Sequence, residues 1–80
     1  MKYELRQIDA WNDESGWAWN DSFAIASAVA ETPEHALAVL LEKAQITFRC
    51  QIRIVEFGEN ALEVQNKNTD EPLLAVMEVM

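Results

Sequence analysis

One stretch of this chain, ETPEHALAVLLEKAQ at positions 31 to 45, departs from the period of everything around it, and that change limits what the chain can build. Leu37, Leu40, Leu41 and Ala44 fall on one side of a helix. Thr32 is a good N-cap, Pro33 suits the first helical position, and Glu31 and Glu34 complement the positive end of the helix dipole. A helix is predicted from about residue 33 to 45. Elsewhere the apolar residues recur at the period of strands. A single helix covers one face of a sheet, so the other face is left to find its own cover.

The strands follow from alternation and turn chemistry. KYELRQIDAW, residues 2 to 11, is a first strand in which Tyr3, Leu5 and Trp11 share one parity while Ile8 and Ala10 take the other. That break near Gln7 indicates a bulge or a strand covered on both sides. NDESG is rich in turn formers and leads to WAWNDSFAIASAV, where Trp17, Trp19, Phe23, Ile25 and Val29 all occupy odd positions. This predicts a strand with one bulky face through about Ile25, residues 26 to 31 being open between strand and helix. Phe48, Cys50, Ile52 and Ile54 then alternate with Arg49, Gln51 and Arg53, and the turn FGEN and the loop NTDEP separate two further strands, ALEVQNK and LLAVMEVM. The sum is an α+β fold of order β-β-α-β-β-β, one mainly antiparallel sheet with a single helix packed on one face. At 80 residues it is one small domain.

Charge and composition exclude several functions. Fourteen Asp and Glu against six Lys and Arg give a formal charge of −8, which repels phosphate backbones and anionic lipid, so neither direct nucleic-acid binding nor a membrane surface is expected. The same charge attracts a basic protein, although it also serves plain solubility. Cys50 alone permits no internal disulfide, and one histidine with one cysteine gives no metal-ligand set. His35 fits a solvated first turn, and Cys50, in the alternating run FRCQIRI, fits a buried, inert thiol. Arg49 and Arg53 form an outward stripe that an acid such as Glu63 on the next strand would pair. No phosphate-binding glycine loop and no nucleophile–base set is present, so neither enzymatic activity nor a cofactor is expected. The charged N-terminus and the absence of a long apolar run point to the cytoplasm.

Two features point outward. In WNDESGWAWNDS all three tryptophans are interleaved with acids, which suits recognition of a Lys- or Arg-rich partner through Trp11, Asp13, Glu14, Trp17 and Asp21. Against that, tryptophans at i and i+2 on one strand are also what a small core uses, and Phe23 and Ile25 continue their parity. Trp11, just before the loop, is the one expected to be exposed. The last strand is apolar on both sides, which suggests self-association through Leu74, Val76 and Met80.

The W-N-D-x-x-G-W-x-W-N-D-S segment, the T-P helix and the closing N-K-N-T-D-E-P-L strand resemble small proteins carried by phages and mobile elements of bacteria. The resemblance rests on residues 11 to 23 and 66 to 74. It implies no activity and no catalytic residue, and it implies small acidic inhibitors or accessory factors acting on host proteins. The expected function is therefore a noncatalytic, self-associating module that binds a protein partner through the hairpin or an open sheet face. Two alternatives stand beside it: a small-ligand or enzymatic pocket between helix and sheet near Trp19, His35 and Cys50, and an acidic mimic of nucleic acid that occupies a basic protein.

Overall fold

The computed structural model describes residues 1–79. Its elements run β1 (Lys2–Asp13), β2 (Gly16–Val29), α1 (Pro33–Lys43), β3 (Ile52–Gly58), β4 (Ala61–Asn66) and β5 (Pro72–Val79). The strands form one antiparallel sheet in the order β2-β1-β5-β4-β3. The α+β order read from the sequence is thus the order of the fold. The first and last strands pair at its centre, Leu5 opposite Val76, and the β3–β4–β5 meander completes it.

Because β2 and β3 stand at opposite edges, the chain between them must cross the whole sheet. An 11-residue helix is about 16 Å long, while five strands measure about 19 Å from first axis to last. Accordingly α1 packs on β2, β1, β5 and β4 and stops short of β3. Its N-cap is Thr32, whose hydroxyl accepts from the His35 amide at 3.1 Å, and Pro33 opens the first turn. At the other end Gln45 adopts φ 57°, and the Ile46 amide reaches back to the Leu41 carbonyl at 2.9 Å. This is the left-handed closure that usually takes glycine.

Between helix and sheet lies the main core. Ala36, Leu37 and Leu40 of α1 meet Tyr3, Leu5, Leu62, Val64, Leu74 and Val76, with Ile25, Ala26, Ala28 and Phe48 packed at the margin. Ala26 and Ala28 of β2 pack beneath the helix, whose last turn lies at this edge, where Lys43 Nζ reaches the Ser27 carbonyl at 2.8 Å.

Two expectations need correction. The bulky odd positions of β2 do not share one face, because the register skips twice: Leu5 pairs with Ala26 but Arg6 with Ala24, and Gln7 pairs with Phe23 but Ile8 with Asp21. Ile25 and Ser22 are the unpaired residues, and each extra residue reverses the parity beyond it. The third strand also begins at Ile52, not Phe48. Residues 44–51 are needed to carry the chain from the end of α1 to the far edge.

Leu40 is wholly buried at the centre of the helix face. Leu40→Ala is expected to cost about 2–5 kcal/mol, measured as the shift in free energy from chemical unfolding at an unchanged m-value.

Candidate functional site

The second face of the sheet is covered by the chain's own hairpin. β1 pairs with β5 only as far as Gln7 opposite Leu74, and beyond that point β1 and β2 continue as a two-stranded arm. The two β2 bulges lie where the arm leaves the sheet, and bulges increase coiling. The arm turns over the face opposite the helix. Ile8, Trp17, Trp19 and Asp21 belong to its inner side, since Ile8 pairs with Asp21, Ala10 with Trp19 and Asn12 with Trp17.

Polar contacts fix the inner side. The Trp19 indole Nε1–H donates to Glu63 Oε1 at 2.6 Å, and its ring meets Phe57 edge-on with centroids 5.4 Å apart. Trp17 Nε1–H donates to the Thr69 carbonyl at 3.0 Å. Glu63 is the one charged residue in the buried set, and its carboxyl also accepts from Gln65 Nε2. Gln65 Oε1 in turn accepts from Arg53, which pairs with Asp70. Arg6 bridges Glu4 and Asp21, each at 2.9 Å, and the Asp21 hydrogen bond is the main reason its guanidinium is held above its ordinary value. Beneath this cover Ala75 is wholly buried although it faces away from the helix.

The outer side of the arm is bare. Asp9, Trp11 and Asp13 of β1 lie there with Asn20 and Phe23 of β2, because Asp9 pairs with Asn20 and Phe23 with Gln7, which has the parity of Leu5. Trp11 is 43% exposed and Phe23 57%. In the turn, Asp13 accepts from the Ser15 hydroxyl at 2.7 Å and the Ser15 amide at 2.8 Å. These bonds, the hydroxyl first, hold its carboxyl below the ordinary 3.8. Asp13 is therefore firmly ionised at neutral pH, beside an exposed indole.

The residues singled out in the sequence divide between these sides. Trp11, Asp13 and Glu14 are exposed on the outer side or the turn, whereas Trp17 is half-buried and Asp21, though exposed, is tied inward to Arg6. Leu74 and Val76 are buried under α1, so neither presents a contact surface, and Met80 lies outside the described residues. The two apolar sides of β5 are instead covered by the helix and the arm. Trp19, His35 and Cys50 do not line one pocket: Trp19 is on the face away from the helix, His35 is exposed in the first helical turn, and Cys50 is half-buried in the loop before β3. Arg53 engages Gln65 and Asp70 rather than Glu63. Sequence reasoning missed Phe23 as a surface residue and Glu63 as a buried one. Among the described residues no cluster of His, Cys, Asp and Glu could hold a metal ion, and no helix is long and apolar enough to cross a membrane.

Trp19→Phe keeps the ring against Phe57 but removes a donor from buried Glu63, and is expected to cost about 1–3 kcal/mol. With Glu63→Leu added the loss should be less than the sum, by about 0.5–3 kcal/mol in a double-mutant cycle. For Asp13, Ser15→Ala is expected to raise the carboxyl midpoint toward 3.8 in an NMR titration. The depressed midpoint contributes stability that is complete above the unfolded value and is lost as pH falls through the folded one. Comparison of the chain with known family models, curated proteins and solved structures returns no match.

Proposed function

We propose that this protein is a noncatalytic interaction module that binds a basic partner protein through the outer side of the β1–β2 arm. One observation carries the reading: Trp11 and Phe23 stand exposed on the same side of a hairpin whose other side is fastened to the sheet. Large aromatics are costly to leave in water, and they dominate binding energy where they meet a partner. Fastening the arm beforehand removes much of the ordering cost that a free hairpin would meet on binding.

Chemistry around the aromatics selects the partner. Asp9, Asp13 and Glu14 surround Trp11 on a chain of net charge −8, so Lys or Arg side chains are attracted both by the acids and by the indole face. A second copy brings the same acids to the same surface and is repelled. The arm is therefore a surface for a different chain.

The reading is tested by retention from a nuclease-treated lysate on the immobilised protein, eluted by rising salt, beside a Trp11→Ala/Phe23→Ala variant with native circular dichroism. Losing an exposed aromatic anchor is expected to weaken binding by about 2 kcal/mol, roughly thirtyfold in Kd. The partner should be basic, leave as ionic strength rises, and be missing from the variant lane. Equal retention by both proteins would contradict the proposal.

A further inference from the structure

The two edges of this sheet are built differently. β2 carries two register shifts, and its Ser27 carbonyl accepts from Lys43 Nζ at 2.8 Å. Bulges and lysines are the usual devices that keep an edge from pairing with a foreign strand. β3 has neither along Ile52–Glu56: Ile52, Arg53, Ile54, Val55 and Glu56 pair in unbroken register with β4, and the shift comes only between Glu56 and Gly58. Its sequence, IRIVEFG, contains no proline or lysine and consists mostly of good strand formers. α1 does not reach it, so Ile54, on the helix side opposite Val64, is 48% exposed.

We infer that the β3 edge is a strand-addition site for an extended, basic segment of another protein, laid antiparallel as every other pairing in the sheet is. The helix-side residues of β3 are Ile52, Ile54 and Glu56. An added strand sets a Lys or Arg opposite Glu56 and apolar residues two and four positions later, opposite Ile54 and Ile52. The residue two before that Lys or Arg returns to the helix side as the strand runs past Gly58 toward a cleft of about 360 Å³ between the start of α1 and the β3–β4 turn, where Glu31, Glu34, Glu56 and Glu59 line the walls. A second basic residue is accommodated there. On the reverse side Arg53 is already engaged by Gln65 and Asp70, so the incoming strand needs no acid.

A second copy of this chain fits the edge poorly. Antiparallel pairing about a two-fold axis joins residues of equal parity. With the axis at Ile54, Glu56 meets the other copy's Ile52, and with the axis at Val55 it meets Ile54. Neither register neutralises Glu56, and both bring together chains of charge −8. This site is separate from the outer side of the arm and stands or falls independently of it.

The test uses the full chain and a capped peptide, Lys-Thr-Lys-Thr-Val-Thr-Val, with Glu-Thr-Glu-Thr-Val-Thr-Val as control, followed by NMR amide exchange and calorimetric titration. The basic peptide should slow exchange of amides within Ile52–Glu56, and do so equally in a Trp11→Ala background. Exposed Glu56→Lys, with a native spectrum, should weaken the basic peptide about tenfold or more and favour the acidic one. Ile54→Lys, also native by its spectrum, should weaken both. The inference is overturned if β3 gains no protection, if both peptides bind the parent protein equally, or if protection grows with protein concentration alone, which would assign the edge to a second copy.

Discussion

The hydrogen bond from the Trp19 indole to buried Glu63 is the contact on which the rest of the arrangement depends. A carboxyl group removed from water demands donors, and β4 supplies only Gln65. The second donor comes from a strand that is not adjacent to β4, so the hairpin must bend across the sheet to deliver it. That bend buries Ala75, seats Trp19 on Phe57 and carries Trp17 to the Thr69 carbonyl. In so doing it gives a domain with one helix cover on both faces of its central strands.

The same bend decides what remains outside. Once the inner side of the arm is committed to the sheet, its outer side has nothing to pack against, and Trp11 and Phe23 stay in solvent beside acids. Because α1 lies over β2, β1, β5 and β4 and makes no contact with β3, β3 is bare as well. Both open surfaces are thus by-products of one topology, in which a short helix and a long hairpin must between them cover five strands. Both also lie on a chain whose charge of −8 favours basic partners, so the protein-binding reading draws on fold and electrostatics together.

How far the sequence revealed this depends on whether each signal was local. The helix was legible because Thr32, Pro33 and the Leu37–Leu40 spacing are all within one element. The hairpin was legible from NDESG, while the parity break at Gln7, read as a bulge or as cover on both sides, proved to be the second: β1 skips no residue, Leu5 and Ile8 are buried on opposite faces, and the extra residues lie across from it, in β2. In β2 the skips fall at Ser22 and Ile25, within a run of Ala, Ser and Ile that has no glycine to mark them. Reading parity straight through therefore put Phe23 on the face of Trp19, when the bulge at Ser22 sends it to the other side. Glu63 alternates with Leu62 and Val64 as any solvent-facing strand residue would, and only the long-range return of Trp19 buries it. The doubly apolar β5 was read correctly as needing two covers, but the second cover is the hairpin, which a strand-by-strand reading could not place.

The most direct test of the bent arm is the hydrogen exchange of the three indole Nε1–H protons, resolved individually in a nitrogen–proton NMR spectrum. The Trp17 and Trp19 protons, bonded to Thr69 and Glu63, should exchange slowly, while that of exposed Trp11 should exchange at close to the free rate. If all three exchange equally fast, the arm does not lie on the sheet, and the account of cover, surface and partner built on it is contradicted.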